Sequence, residues 1–154
     1  MKFKALMLTL VLLLPGCLDS EGEEIRFNGR NLEGSDVYMF TLEDSTGPLW
    51  NLTEQEGKVV VLAFIFTRCD NTCPVTSQNL KVVYESLTED ELAKVSFVSV
   101  TVDWRHDSPS ELNNWSDRMG YDWPHLTGAK QALDPVYENY GVFPVEQGDD
   151  SDEG

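Results

Sequence analysis

The residues from Lys58 to Leu87 limit the fold more than any other stretch: KVVVLAFIF, then TRCDNTCP, then VTSQNLKVVYESL. Among the first nine only the opening lysine is charged, the pattern of a strand covered on both faces in a parallel or mixed sheet packed by helices. Pro74 directly follows Cys73 and suits the first position of a helix, where no amide hydrogen is needed. Leu80, Val83, Tyr84 and Leu87 then recur at helical spacing. Cys69 and Cys73 therefore lie where a buried strand becomes a helix, and the expected class is α/β.

That junction bears on the chemistry of the thiols. Unpaired amides and aligned peptide dipoles place partial positive charge at a helix N-terminus, which stabilises a thiolate, and Cys73 is expected to feel this most. Thiolates are soft ligands that favour monovalent copper, and a pair this close can also form a disulfide if the loop bends suitably. Two structural cysteines, or half of a zinc site, are the plainer readings of Cys-x-x-x-Cys. Zinc needs two further ligands, for which the chain offers only His106 and His125 as histidines. The flanking strand, helix and proline favour redox or copper chemistry.

The run GKVVVLAFIFTRCDNTCPVTSQNL resembles the core of the Sco/SenC family, thioredoxin-like copper chaperones whose signature is a strand, Phe-x-x-Thr-x-Cys-x-x-x-Cys-Pro, and a helix. It matches at Gly57, Lys58, Phe64, Thr67, Cys69, Cys73 and Pro74, and the similarity extends to about Tyr38 and Val142. The resemblance implies a thioredoxin-like fold with an N-terminal β-hairpin, and copper held by Cys69 and Cys73, which are also the redox pair. It further implies a client, the copper-bearing subunit of cytochrome oxidase or another cuproprotein, and a thiol reductant.

At 154 residues and 41% hydrophobic content, the chain suits one domain with a sizeable core. Met1 to Gly16 reads as an export signal: two lysines, an apolar run from Ala5 to Leu14, then Pro15-Gly16-Cys17. Leu14-Pro15-Gly16-Cys17 resembles the lipobox of prokaryotic lipoproteins, which makes Cys17 a lipidated anchor. An ordinary cleaved signal with a stray cysteine, or a retained short anchor, are the alternatives. Residues 17–36 have the composition of a flexible tether, and residues 37–154 form the domain. The expected location is the extracytoplasmic face of the cell membrane, where thiol pairs can oxidise. Losing Lys2 and Lys4 with the signal takes the formal charge from −16 to −18, which disfavours nucleic acid and anionic membrane surfaces.

Val37–Leu42 and Pro48–Leu52 are strand candidates joined by a turn at Glu43–Gly47. Val95–Val102, rich in β-branched residues, is a second major strand, parallel to the first because one helix connects them. Ligands in such sheets bind beyond the carboxyl ends of the strands, so Asp103-Trp104-Arg105-His106-Asp107 should lie beside the thiol loop. This segment resembles the family's Val-Asp-Pro-x-Arg-Asp-Thr-Pro, with Trp104 for the usual proline and His106 for the usual arginine. Asp103 and Asp107 match, and the resemblance makes them site-shaping; a plain role at the strand end, satisfying backbone donors, is the other reading of Asp103. The family's copper histidine lies in a later Val-Asp-His segment that this chain does not reach, so His106 is not assigned to the metal.

Ser108, Pro109 and Glu111 signal a helix start, Leu112, Trp115 and Met119 share one face, and Gly120 is the stop. Trp123–Gly128 resembles the family's Trp-x-x-Leu-Thr-Gly, with His125 as a surface or packing residue. Ala129–Tyr140 has helical spacing, with a break expected at Pro135 and Asp134 capping the second piece. Gly148–Gly154 is an acidic run that reads as an exposed loop or disordered tail. Because the family continues with a strand pair, the histidine and a last helix, the domain is expected to be incomplete at its C-terminus. One side of the Lys58–Phe66 strand should then lack a neighbour. Two functions follow, a copper chaperone or an extracytoplasmic thiol-disulfide oxidoreductase. A peroxiredoxin-like peroxidase is disfavoured, since its Pro-x-x-x-Thr-x-x-Cys pattern would need proline and threonine where Phe66 and Asp70 stand.

Overall fold

The computed structural model describes residues 36–69 and 72–144, with the backbone alone for Thr72. The expected signal, Cys17 and the tether lie outside the described residues, as does the acidic run at the end. No helix among the described residues is long and apolar enough to cross a membrane.

In chain order the elements are β1 (Thr41–Asp44), β2 (Leu49–Asn51), a short 3-10 helix (Leu52–Gln55), β3 (Val59–Ile65), α1 (Thr72–Ser86), α2 (Glu89–Leu92), β4 (Val95–Thr101), α3 (Pro109–Met119), β5 (His125–Thr127) and α4 (Lys130–Tyr140). They build one five-stranded mixed sheet in the order β2-β1-β5-β4-β3. β3 and β4 are parallel from Val59↔Val95 to Ile65↔Thr101, and β4 is parallel to β5. The hairpin β1–β2 joins antiparallel to β5 through Glu43↔Thr127 and Asp44↔Leu126. β3 therefore ends the sheet among the described residues, with Val59 65% exposed.

Alternation along the strands sends side chains to two cores on opposite faces. Val98 and Val100 of β4 join Leu42, Leu126 and the buried face of α4, namely Leu133, Val136 and Tyr137. Phe97 joins Ile65, Leu112, Trp115, Tyr121 and Trp123, with Leu80, Tyr84 and Leu87 of α1 packed against them. Val60, Leu62 and Phe64 face the first core and Val61, Ala63 and Ile65 the second, so β3 is covered on both faces despite its open flank. Two residues expected on buried helix faces sit at the margin instead, Val83 at 48% and Met119 at 37% exposure.

Three boundaries differ from expectation. The hairpin strands begin later, and Glu43 and Asp44 belong to β1 because they pair with β5. The helix α2 was not anticipated, although Thr88 and Glu91 form a full capping box at its start. Helix α4 runs unbroken through Pro135, and Asp134 caps nothing; it holds Lys130 at 2.6 Å. A proline inside a helix costs about 3 kcal/mol, whereas burying side chains such as Leu133 and Val136 gains about 1.5–3 kcal/mol each. Both are fully buried, so tertiary packing outweighs the local break.

Helix α3 ends on Gly120 in the left-handed region at φ 66°, and Lys81 Nζ donates to Met119 O at 3.1 Å. A side chain there is strained whatever space it has. Gly120→Ala is expected to lower stability by about 1–2 kcal/mol, read as a fall in the urea midpoint with the slope unchanged.

Candidate thiol and metal site

The two thiols come together as the strand-to-helix junction requires. Cys69 lies on the loop after β3, and Cys73 is the second residue of α1; both are half-buried thiols and neither is in a disulfide. The backbone N–H of Cys73 donates to Cys69 Sγ at 3.2 Å. That amide is one of the helix's unpaired N-terminal donors. The partial positive charge of the helix end is therefore delivered to the sulfur of Cys69.

Cys73 behaves in the opposite way to the sequence expectation. Burial against the second core, followed by a side-chain hydrogen bond to Cys69 and the proximity of that sulfur's charge, pushes its thiol up to about 11, against a smaller lowering effect of the Phe66 backbone. The expectation of a thiolate at Cys73 is thus corrected. Its thiol keeps its proton at neutral pH and shares it with Cys69, the sulfur that carries the amide donor. Alkylation at pH 7 with limiting iodoacetamide should modify Cys69 first, checked by peptide mass mapping.

The loop after β4 lies beside the thiol loop, as its sheet position predicts. Asp107 is fully buried, and its carboxylate accepts from Thr67 N (3.1 Å), Thr67 Oγ1 and Thr101 Oγ1. Its backbone carbonyl accepts from Thr127 Oγ1 at 2.9 Å. Tyr137 reaches across from α4 and donates its hydroxyl to Thr101 O at 2.7 Å. One buried carboxylate therefore fixes the ends of β3 and β4 and, through its own carbonyl, the end of β5, two residues before Cys69. Desolvation raises the Asp107 acid above its ordinary value, against the lowering effect of its donors.

Asp103 has partners richer than the plain strand-end reading: Arg68 Nη2 lies 3.0 Å from its Oδ2 and His106 Nδ1 lies 2.8 Å from its Oδ1. Burial by itself opposes its charge, but hydrogen bonds and positive charge from His106 and Arg68 outweigh that, and the acid sits below its ordinary value. A depressed folded value contributes stability that is full above the unfolded value, near 4, and is lost as pH falls through the lower folded one. Asp107, raised, works in the other direction. Asp103→Asn should therefore flatten the loss of stability between about pH 5 and pH 2, measured as urea midpoints across that range; an unchanged slope would refute the pairing.

Arg68, Thr67 and Thr101 were not singled out by sequence. The match of Thr67 to the family signature was the one available signal, and nothing local marks Arg68 as a partner for a residue 35 positions later. His125, at 1% exposure, is the packing histidine, edge-on to Trp115 at 5.5 Å. Among the described residues, no group of three or more His, Cys, Asp or Glu side chains could hold a metal ion. The thiols offer two sulfur donors, a set suited to a soft monovalent cation and too poor for zinc.

Comparison with known proteins agrees with this geometry. The profile of the SCO1/SenC family matches residues 31–154. The chain is a member of the SCO1/SenC family. An SCO2-like protein of Rickettsia felis is 28% identical over 114 residues, covering 73% of this chain and 55% of that one. The chain thus spans about half the length of the curated SCO relatives it matches. The solution structure of apo Sco1 from Thermus thermophilus superposes with a TM-score of 0.70 at 30% identity, covering 84% of this chain and 76% of that one. BsSco, described with a disulfide switch and as a member of the Sco family of cytochrome c oxidase assembly proteins, gives 0.57 at 25% identity over 73% of this chain and 72% of its own. Bradyrhizobium japonicum ScoI, solved with copper bound, shares the fold at a TM-score of 0.66 and 24% identity, with 75% of each chain covered. The fold is the thioredoxin-like one of the SCO1/SenC proteins.

Proposed function

We propose that this SCO1/SenC protein is a membrane-tethered copper chaperone that holds cuprous ion on Cys69 and Cys73 and delivers it to the copper-bearing subunit of cytochrome oxidase. The observation that carries the proposal is the pair of half-buried thiols, not bridged by a disulfide and joined by hydrogen bonds where β3 gives way to α1. Copper is the cargo, and its uptake replaces the shared proton. Cuprous ion bonds to both sulfurs, the proton of Cys73 leaves to solvent, and no electron moves. Delivery reverses this by ligand exchange with the client's own donors. Asp107 and Asp103 shape the site, the first by fixing the root of the loop, the second by holding Arg68 next to Cys69. Lipidation of Cys17 would place the domain on the extracytoplasmic face of the cell membrane, where an acidic surface keeps it from anionic headgroups.

Anaerobic titration of the reduced chain against a cuprous chelator tests the reading. One equivalent of copper per chain, with sulfur neighbours in X-ray absorption, is the expected result; binding that persists after both thiols are alkylated would rule it out. A second reading, thiol-disulfide oxidoreductase, draws on the same hydrogen-bonded pair and on the disulfide switch described for BsSco. In that case Cys69 and Cys73 form an S–S bond as a substrate disulfide breaks, passing it two electrons and the shared proton while solvent supplies the second proton, and a thiol reductant restores the pair. Rapid copper-free turnover with a disulfide substrate favours this second reading.

A further inference from the structure

Arg68 stands directly before Cys69, with its side chain 56% exposed. Only its Nη2 is engaged, lying 3.0 Å from Asp103 Oδ2 and against His106 Nδ1. Nε and Nη1 have no partner among the described residues. Arginine carries its N–H donors in a planar fork matched to the two oxygens of one carboxylate. Most of that fork is therefore unused inside the domain. The carboxylate that holds Arg68 does not depend on it. Asp103 is buried, and a buried charge that loses its one partner is strongly destabilising. Here His106 Nδ1 lies 2.8 Å from the other oxygen, Oδ1, so the acid stays paired if the guanidinium moves away.

The location decides what such a donor meets. Adjacent Cα atoms are about 3.8 Å apart, and Asp103 follows β4 at the same end of the parallel strands as the thiol loop. The guanidinium is thus close to whatever engages the Cys69 sulfur. The chain as a whole disfavours anions, since its 27 acidic side chains outnumber its 11 basic ones. A field of that sign repels an anion and attracts a cation. Preference for an anion at the thiols therefore needs a local donor, and Arg68 is placed to be that donor.

We propose that Arg68 is a specificity-determining residue, selecting through its unused fork partners that carry a carboxylate a few bonds from the sulfur that engages Cys69. The inference rests on reading Cys69 and Cys73 as the reactive pair. In the exchange, the Cys69 thiolate displaces one sulfur of the partner's disulfide. That S–S bond breaks, a mixed disulfide forms, the displaced sulfur leaves as a thiolate, and the shared proton stays on Cys73.

The test mixes the full chain, reduced and copper-free, with dithiodiglycolate, hydroxyethyl disulfide or cystamine, which set negative, no or positive charge beside the same S–S bond. Reaction at Cys69 is followed by acid quenching and peptide mass mapping, and each rate is divided by that of mercaptoethanol with the same reagent. The normalised rate for dithiodiglycolate should be the highest, about fivefold above that for hydroxyethyl disulfide. Arg68→Gln should abolish that ratio, and Arg68→Lys should restore only part of it, having the charge without the fork. Asp103→Asn breaks the same ion pair but keeps the guanidinium, so the ratio should persist. Faster reaction of the disulfide of acetyl-Cys-Asp-amide than of its Cys-Asn counterpart would place the carboxylate on a protein partner; equal rates, with dithiodiglycolate still preferred, would place it on a small acid. A preference for cystamine, a ratio untouched by Arg68→Gln, or one that Asp103→Asn abolishes as fully overturns the inference while leaving the thiol pair reactive. No reaction of Cys69 with any of the reagents removes the thiol reading itself, and the inference with it.

Discussion

Serine in place of Cys69 or Cys73 should weaken cuprous binding by more than about a hundredfold, since losing even a residue that only supports a metal ligand costs about 10–100-fold. No third His, Cys, Asp or Glu ligand group is offered among the described residues to take up the loss. The two variants should differ in a second respect. Cys73, raised to about 11, must release a proton when copper binds, so the affinity of the parent chain should rise about tenfold per pH unit through the neutral range. Cys73→Ser removes that proton and should flatten the dependence, whereas Cys69→Ser should keep it. Competition titrations at pH 6, 7 and 8 give both numbers. Equal slopes in the two variants would mean that the proton is not held where the geometry puts it.

Asp107→Ala should cost about 3 kcal/mol of folding stability, because it strips one buried backbone donor and two hydroxyls of a charged acceptor at once. The hydroxyls of Thr67 and Thr101 can turn to other acceptors, which keeps the loss well below three full charged hydrogen bonds. Thr67 N has no such freedom. Asp107→Asn keeps one acceptor oxygen and should recover about half of the loss. Denaturant unfolding at pH 7 measures both, and a cost within about 0.5 kcal/mol of the parent would place Asp107 among ordinary surface changes. Because the acid of Asp107 is raised, the native state takes up its proton before the unfolded state as pH falls. The penalty of Asp107→Ala should therefore change with pH in the opposite sense to that of Asp103→Asn.

The parts of this fold legible in sequence are those decided locally. Dense β-branched runs place β3 and β4 within a residue of their expected ends, and Ser108, Pro109 and Gly120 bracket α3 as their capping chemistry predicts. The thiol pair and its loop were legible for the same reason, as was the nearness of Asp103–Asp107, which follows from parallel topology. The hairpin was misplaced because β1 is defined by pairing with β5, more than 80 residues later. Pro135 misled because its cost is local while the packing that absorbs it is not. The reversal between Cys69 and Cys73 has a similar origin. A helix start supplies positive charge, but which sulfur receives it depends on how the loop folds back over the first amides.

The carboxylate beneath Thr67 also divides the thiol loop mechanically. Everything up to that threonine is clamped to three strand ends and, through Tyr137, to the helix on the far face. Whatever swing a cargo demands on arrival or departure must therefore hinge beyond residue 67, and the cysteine nearest that pivot travels least.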